Sequence, residues 1–444
     1  MKSKNVILIT IDCLRLNHLG VFGYQRKTSP FIDSLSKKSL FFENAFANGP
    51  FTIASFVSIF ASTFPLNNGR YISPQKLLFL SEVLSENGIK TGAIHSNPYL
   101  SSLLGWNKGF EFFEDFLGRF EKKKIKKVKP SFKSKILKKF PILGKIKKEI
   151  FSLIKKKKET FTLPYASAKE ITDKAIKWIE ETIPSSFFLW LHYMDLHEPY
   201  IILNGEVERK YSKYLTPSLQ KEILKLKKEN LKEIIDIYDD KLFWIDQNIK
   251  RLVKFLEEKN ILENTLLILT ADHGQEFYEH GSFGHKASFF EEIIRIPLFI
   301  YSSKISPRRV KSLVSQIDLS PTILDFFGIP LPQEYIGKSL FSPSQRDFVL
   351  SEASFNEKGV YIEAFKIQPP KYIGICLRTE RWKYIFSTKK ETFLFDLKND
   401  PQERENLKGK YPKLEKEFRK IIDQRLEEIM KKEIVEKLRE EEKL

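Results

Sequence analysis

The chain has 444 residues, 42% of them hydrophobic and 30% charged, with a formal net charge of +18. That length exceeds one simple core, and the hydrophobic share excludes global disorder. Two cysteines, Cys13 and Cys376, exclude a disulfide framework and fit a reducing compartment, so the expected location is cytoplasmic.

The opening, MKSKNVILITIDCLR, joins a basic start to a short apolar run that meets Asp12 and Arg15. It has no small-residue cleavage site and reads as a first buried strand, not a signal peptide. TSPFIDSLSKKSL reads as a helix with Thr28 or Ser29 as N-cap and Pro30 in the first turn. In GPFTIASFVSIFAS the apolar residues fall at helical spacing after Thr52, which places Thr52 at a helix N-terminus. KLLFLSEVLSENGIKTGAIHSN is a helix stopped by Asn87-Gly88, then a strand running into Ser96-Asn97.

Between Lys122 and Lys158 stand 17 lysines against one acid, Glu149. That window alone carries +16 and leaves about +2 for the rest, so the basicity belongs to one segment. SFFLWLHYMD, NTLLILTADHG and IRIPLFIYSS then read as further buried strands, with helical stretches between them. After Pro330, RDFVLSEAS, YIGICLRTERWKYIFS and TFLFDL read as antiparallel strands, and the end from Tyr411 is charged helix. No stretch reaches about 18 apolar residues, so no membrane span is expected. The expected fold is α/β: a large, mostly parallel sheet between helices plus a small C-terminal antiparallel sheet.

In such sheets ligands collect at the carboxyl ends of strands. Asp12, Asp195 and Asp272 all fall just past strand ends. The stretch TADHGQEFYEHGSFGHK holds three of the seven histidines directly after a buried strand. Asp12, Asp272 and His273 offer two carboxylates and an imidazole to a divalent metal, and Thr52 can add a hydroxyl oxygen. Coordination lowers a hydroxyl pKa and makes a weak nucleophile usable. Backbone N–H groups at the Thr52 helix terminus suit an incoming anion. His197, His285 and Lys286 remain to hold non-bridging oxygens or protonate a leaving group. Zn or Mn is the favoured ion because of His273, with Ca or Mg as the alternatives.

With these residues in view, the chain resembles the sulfatase branch of the alkaline-phosphatase superfamily over nearly its whole length. VILITIDCLRLNHLGVFGY resembles the family's opening strand and metal loop, ANGPFTIASFVSIFAS its nucleophile motif, and HYMDLHEPY its His-x-Pro substrate loop. TADHGQEFYEHGSFGHKASFFEEIIRIPLFIY is the most specific stretch, and QIDLSPTILDFFGI and RTERWKYI match C-terminal signatures. The resemblance implies a catalytic domain over 1–335 with a basic insertion at 119–160, a small-sheet subdomain over 336–405 and a charged helical tail over 406–444. It implies metal ligation by Asp12, Asp272 and His273, with Thr52 as nucleophile and fourth ligand. His197 and His285 fall where related phosphoethanolamine transferases keep substrate or second-metal histidines. Lys286 falls on the sulfatase lysine that grips the transferred group.

Three departures qualify the resemblance. Formylglycine sulfatases need a convertible cysteine or serine in a Cys-x-Pro-Ser-Arg context, and here the context reads TIAS followed by Phe56. Cys13 stands where many sulfatases place a second metal aspartate, and Asn17 where relatives often have aspartate. A threonine nucleophile belongs to the phosphotransferase and phosphodiesterase relatives. The expected activity is therefore metal-dependent hydrolysis or transfer of phosphate- or phosphonate-type esters. A sulfuric ester hydrolase is the alternative within enzymes. An inactive anion- or membrane-surface-binding protein on the same fold is the alternative outside them.

The expected substrate is a small-molecule, glycan or lipid-linked anionic ester. The lysine block 122–158 interleaves apolar residues with lysines, which suits either peripheral contact with an anionic membrane or an ordinary solvated insertion. Stacking aromatics are few there, so nucleic acid is disfavoured. Asp195 reads as an orienting residue, His280 as part of a tight turn, and His18, His95 and His192 as structural. Asn97, just past a strand, is a lesser candidate for facing the site.

Overall fold

The structure is a computed structural model. It describes residues 3–67, 74–117, 165–198, 231–285, 288–342, 345–355, 362–363, 366–367, 371–389 and 391–441. The lysine block 122–158, with its expected membrane contact, and Lys286 lie outside the described residues.

The main sheet is built from β1 (Asn5–Ile11), β2 (Leu40–Phe46), β3 (Lys90–Ile94), β4 (Phe112–Glu114), β5 (Phe187–Tyr193) and β6 (Thr265–Ala271). A short hairpin, β7 (Glu276–Phe277) and β8 (Phe283–Gly284), separates these from β9 (Arg295–Tyr301), β10 (Arg308–Val310) and β11 (Val314–Ser315). The order is β10-β2-β9-β6-β1-β5-β3-β4, with β11 also paired to β2. Only β9 runs against its neighbours, β2 and β6. The strands β1, β5 and β6 are buried at every position. That explains their unbroken apolar sequences, since a strand covered on both faces has no solvent side to alternate toward. Each fully buried Val, Leu or Ile in them is worth about 1.5–3 kcal/mol relative to exposure.

Alternation along β5 assigns the helices to faces. Trp190 packs against Phe56 and Phe60 of α2 (Thr52–Ala61), both rings 4.9 Å away. Phe187 and Tyr193, on the opposite face, meet Trp178 and Thr172 of a long helix over Ala168–Thr182. With α1 (Pro30–Ser36) and α3 (Leu80–Glu86) preceding it, that helix is α4. It packs with α5 (Leu231–Glu258), while α2 and α3 pack with a later helix, Leu319–Phe327. The sheet is thus covered on both sides.

The expected helix from Thr28 ends sooner than its sequence suggests. It starts as read, with Ser29 at the N-cap and Pro30 at N1, but stops at Ser36. Leu40, the last residue of that reading, instead opens the strand Leu40–Phe46, held by antiparallel pairing with β9 (Leu40 beside Ile300, Phe42 beside Leu298). Long-range pairing overrides local helical spacing here.

A second sheet of β12 (Phe348–Phe355), β15 (Tyr372–Thr379), β16 (Trp382–Ser387) and β17 (Phe393–Asp396) is wholly antiparallel, in that order. A two-residue pair, β13 (Ile362–Glu363) with β14 (Lys366–Ile367), lies between its first two strands in sequence. The terminal helix Pro412–Glu441 lays Phe418, Ile422 and Ile429 on Leu350, Ile375 and Leu377 of this sheet. Its Arg425 holds Glu352 of β12 through two contacts of 2.8 Å. No helix among the described residues is long and apolar enough to cross a membrane.

Candidate functional site

The central strands deliver their last residues side by side. Ile11 of β1 lies beside Tyr193 of β5 and Ala271 of β6. Asp12, Asp195 and Asp272 therefore leave the sheet at one edge. Asp12 is fully buried and its N–H donates to the Tyr193 carbonyl at 2.9 Å. The next residue, Cys13, turns with φ +59°, an uncommon conformation for a residue with a side chain. The turn folds its thiol back, so that S–H donates to Asp12 Oδ1 at 2.8 Å. Asn97 Nδ2 donates to Asp12 Oδ2 at 3.2 Å, and His192 Nε2 stands 3.3 Å from that same oxygen.

Asp272 and His273 follow β6, both fully buried. Gln316 Nε2 donates to the carbonyls of Ala271 and Asp272 at 3.1 and 2.6 Å, which locks the loop. Gly274 is required by close approach: a Cβ there would stand 2.1 Å from the Glu292 carbonyl oxygen. His273 Nδ1 lies 2.9 Å from the Gly274 carbonyl, which only accepts, so Nδ1 carries the proton and Nε2 presents a lone pair.

Thr52 opens α2. Its approach loop is pinned at Asn48, whose N–H donates to Gln316 Oε1 at 3.1 Å and whose Nδ2 donates to Leu350 O at 2.8 Å. Gly49 passes so close to α2 that a Cβ would meet Ala54 Cβ at 2.3 Å. Thr52 Oγ1 lies 3.4 Å from His273 Nε2. Ser55 is turned away, its hydroxyl donating to Gly49 O at 3.0 Å.

Ligand atoms of Asp12, Asp272 and His273 lie within 4.8 Å of one another. Their chemistry fits a divalent cation. His273 Nε2 and Asp272 Oδ2 face each other at 3.4 Å as two lone-pair bearers, and Asp272 Oδ2 is buried without a hydrogen-bond partner. Burial first, and then the Asp12 charge, push the Asp272 carboxyl up to about 8. Burial also works to raise Asp12, but the nearby His197 and the His192 contact outweigh it and hold that carboxyl well below the usual range. Burial lowers the His273 imidazole, keeping it in the neutral form that a metal ligand needs.

Two more imidazoles face this group. His285 lies 4.4 Å from His273, ring to ring, and His197 lies 5.3 Å from His285. His197 Nδ1 donates to the Glu198 carbonyl at 2.6 Å, leaving Nε2 as its lone-pair nitrogen. His285 Nδ1 stands 3.5 Å from the Cys13 sulfur. Six of the seven site residues expected from sequence thus converge: Asp12, Thr52, His197, Asp272, His273 and His285. Asp195 lies at the same edge, but its Oδ1 accepts from the Ala168 N–H at the start of α4 at 3.1 Å, and burial raises its carboxyl to about 6. His280 lies apart, its Nε2 3.1 Å from Glu292 and its ring stacked on Phe290 at 3.6 Å.

Sequence reasoning assigned His192 a merely structural role and missed its approach to Asp12. The signal was strand alternation: His192 pairs with Thr10, which shares a face with Asp12. Asn97, a lesser candidate, makes a direct contact with that carboxylate.

Comparison with known proteins agrees with this architecture. Residues 4–329 match the Sulfatase family, and residues 278–432 match the C-terminal region of N-sulphoglucosamine sulphohydrolase. The chain is 23% identical to arylsulfatase K of Bos taurus, covering 96% of this chain and 82% of that protein. A solved 2-O GAG sulfatase superposes with a TM-score of 0.70 at 18% identity, covering 97% of this chain and 93% of the other. The phosphonate monoester hydrolase of Agrobacterium radiobacter gives 0.68 at 18% identity, covering 96% of both. By the extent of that match, on the fold and strand-end cluster described above, this chain belongs to the sulfatase family.

Proposed function

We propose that the protein is a metal-dependent ester hydrolase in which Thr52 is the nucleophile and the transferred group is phosphate- or phosphonate-type. Asp12, Asp272, His273 and Thr52 would hold the cation. A divalent ion there supplies a lowered hydroxyl pKa and charge for an anionic transition state. Thr52 Oγ1 gives up its proton to solvent and bonds to phosphorus, the P–O bond to the ester oxygen breaks and that oxygen leaves with its electron pair and takes up a proton, and water or an acceptor alcohol, losing a proton, then displaces Thr52 Oγ1 from phosphorus. His197 and His285 meet the oxygens of the transferred group and the departing oxygen.

The observation that carries this reading is Thr52 itself, 3.4 Å from His273 Nε2 at the mouth of the acidic cluster. A threonine Cβ bears a methyl group and cannot become the aldehyde of formylglycine. A phosphorylated threonine can be attacked at phosphorus, whereas a sulfated one lacks the release route of an aldehyde hydrate. The phosphonate monoester hydrolase neighbour supports this choice. The relatives' names favour sulfuric esters instead, and that is the second reading. Both support an anionic ester of a small molecule or glycan as substrate.

Metal analysis of the purified protein, with hydrolysis of nitrophenyl phosphate, bis-phosphate, phosphonate and sulfate esters, tests the choice. The expected result is faster turnover of phosphorus esters and at least ~10³-fold loss in Thr52→Ala with metal retained. Preferential sulfate hydrolysis would establish the second reading. Unchanged rates in Thr52→Ala would remove Thr52 from the mechanism.

A further inference from the structure

The long helix α5 buries a charged side chain among apolar ones. Tyr238, Leu242, Ile245, Ile249 and Leu252 recur at helical spacing and form its buried stripe. Lys241 stands on that stripe and is buried too, where a leucine would pack at no electrostatic cost. Its Nζ donates to the hydroxyl oxygen of Tyr165, a buried residue just before α4, at 3.2 Å. The Tyr165 hydroxyl in turn donates to the His197 carbonyl at 3.1 Å.

A two-link chain thus joins α5 to the turn that carries His197. That turn is closed by the His197 N–H, which donates to the Met194 carbonyl at 2.9 Å. The ring is fixed by Nδ1, which donates to the Glu198 carbonyl at 2.6 Å. With the Tyr165 bond, the N–H, the carbonyl and Nδ1 of His197 are all engaged, and Nε2 is the nitrogen left to meet a ligand. Asp195, in the same turn, is the counter-charge. Burial works to raise its carboxyl, while the Ala168 N–H and the Lys241 ammonium work to lower it. A buried ion pair is a weak source of stability, and apolar side chains of the same volume often serve as well. What the lysine adds is the bond to Tyr165.

We infer that Lys241 and Tyr165 are positioning residues for His197, setting where its Nε2 points in the cleft. They act through that imidazole and not on the substrate. The inference rests on the hydrolase reading of this cleft, in which His197 meets the oxygens of the transferred or departing group. It deepens that reading by giving the imidazole an orientation supplied from α5.

Tyr165→Phe removes only the hydroxyl and tests this. Its kcat is measured on nitrophenyl and phenyl phosphonate esters, or on the matching sulfate esters if the chain cleaves those, beside His197→Ala and the double variant. Tyr165→Phe is expected to lose about 10- to 100-fold in kcat, with the same dependence on the leaving group as His197→Ala. In the double variant it is expected to add no further loss, because no imidazole is left to position. Lys241→Met keeps the stem and removes the charge; it is expected to repeat the pattern and serves if Tyr165→Phe does not fold. Unchanged kcat, or a loss that multiplies that of His197→Ala, overturns the inference. NMR of the full chain with isotope-labelled histidine reads the same geometry without activity. Wild type is expected to show His197, identified by the signal lost in His197→Ala, as the Nδ1–H tautomer. Tyr165→Phe is expected to shift that signal and leave His280 in place. An unmoved His197 signal overturns the inference whether or not an ester is cleaved. A shifted signal in a chain that cleaves no ester leaves the positioning of His197 standing and overturns the hydrolase reading.

Discussion

Asp12 and Asp272 hold ligand atoms within 4.8 Å of each other with neither side chain exposed. Two unit charges at that spacing repel by about 3–4 kcal/mol at an effective dielectric of about 20. The metal-free chain relieves this by keeping Asp272 protonated, with its carboxyl pushed up to about 8 by burial and by Asp12. Asp272→Asn removes the cost of taking up that proton on folding, since the unfolded carboxylate, near 3.8, is ionised at pH 8. In the absence of metal, at pH 8, the variant should be more stable than wild type by about 1–3 kcal/mol. It should also lose the metal-induced gain that comes from the Asp12, Asp272 and His273 group, which reaches about 2.7 kcal/mol at 100 times Kd. Thermal unfolding with and without zinc or manganese measures both, and a destabilised variant that still responds fully to metal would contradict the assignment. Asp12, Thr52, Asp272 and His273 were legible in the sequence because each marks the end of an apolar strand or the start of a helix. His192 was not, because it sits inside its strand, and only the pairing with β1 aims it at Asp12. The Cys13 thiol contact with Asp12 was not legible either, because a left-handed turn, which sequence does not announce, redirects the side chain.

At the scale of the element, α2 does two things with one face and one end. Its N-terminus presents Thr52, and its apolar face is buried against β5. Phe56, which stands where formylglycine sulfatases carry arginine, is fully buried. It touches Trp190 at 4.9 Å and His192 at 5.0 Å. The side chain fills the core between α2 and β5. Phe56→Arg should therefore cost about 3–5 kcal/mol in thermal unfolding, as an uncompensated buried charge does, with no gain on sulfate esters. A variant with the wild-type melting temperature and new sulfatase activity would refute this. The strands β1, β5 and β6 were readable because full burial leaves continuous apolar runs, and β9 because its interior is buried. β2 was not, since its sequence follows a helix without a strong break and its strand character comes from pairing with β9.

Across the whole molecule, the C-terminal sheet is tied to the loops that carry the site. The Asn48 carbonyl before Thr52 accepts from Glu352 N on β12 at 2.7 Å, and Glu352 in turn holds Arg425 of the terminal helix. A second tie runs through Glu291, 3.0 Å from Lys383 of β16 and 3.5 Å from Arg378 of β15. The adjacent Ile293 and Glu292 carbonyls accept from Gly274 and Gln275 in the loop after β6 at 2.7 and 2.9 Å. Burial works to raise the Glu291 carboxyl from its ordinary 4.5, but Lys383, Arg378 and Arg295 outweigh it and hold it at about 2. A depressed carboxyl stabilises the fold fully above its unfolded value, and that stability is lost as pH falls from about 4.5 toward 2. Glu291→Gln should be less stable at neutral pH and should show a flatter acid limb in denaturant melts. An acid limb as steep as wild type would exclude Glu291 as its source. The split into a large parallel sheet and a small antiparallel one was legible from strand composition, but these cross-ties between distant charged residues were not. The activity claim is also testable on the intact chain. Acid-quenched enzyme turning over a phosphate or phosphonate ester should gain the mass of one transferred group by intact-protein mass spectrometry, fragmentation should place it on Thr52, and Thr52→Ala should gain nothing. Turnover with no adduct, or with an adduct on any other residue, would contradict the account.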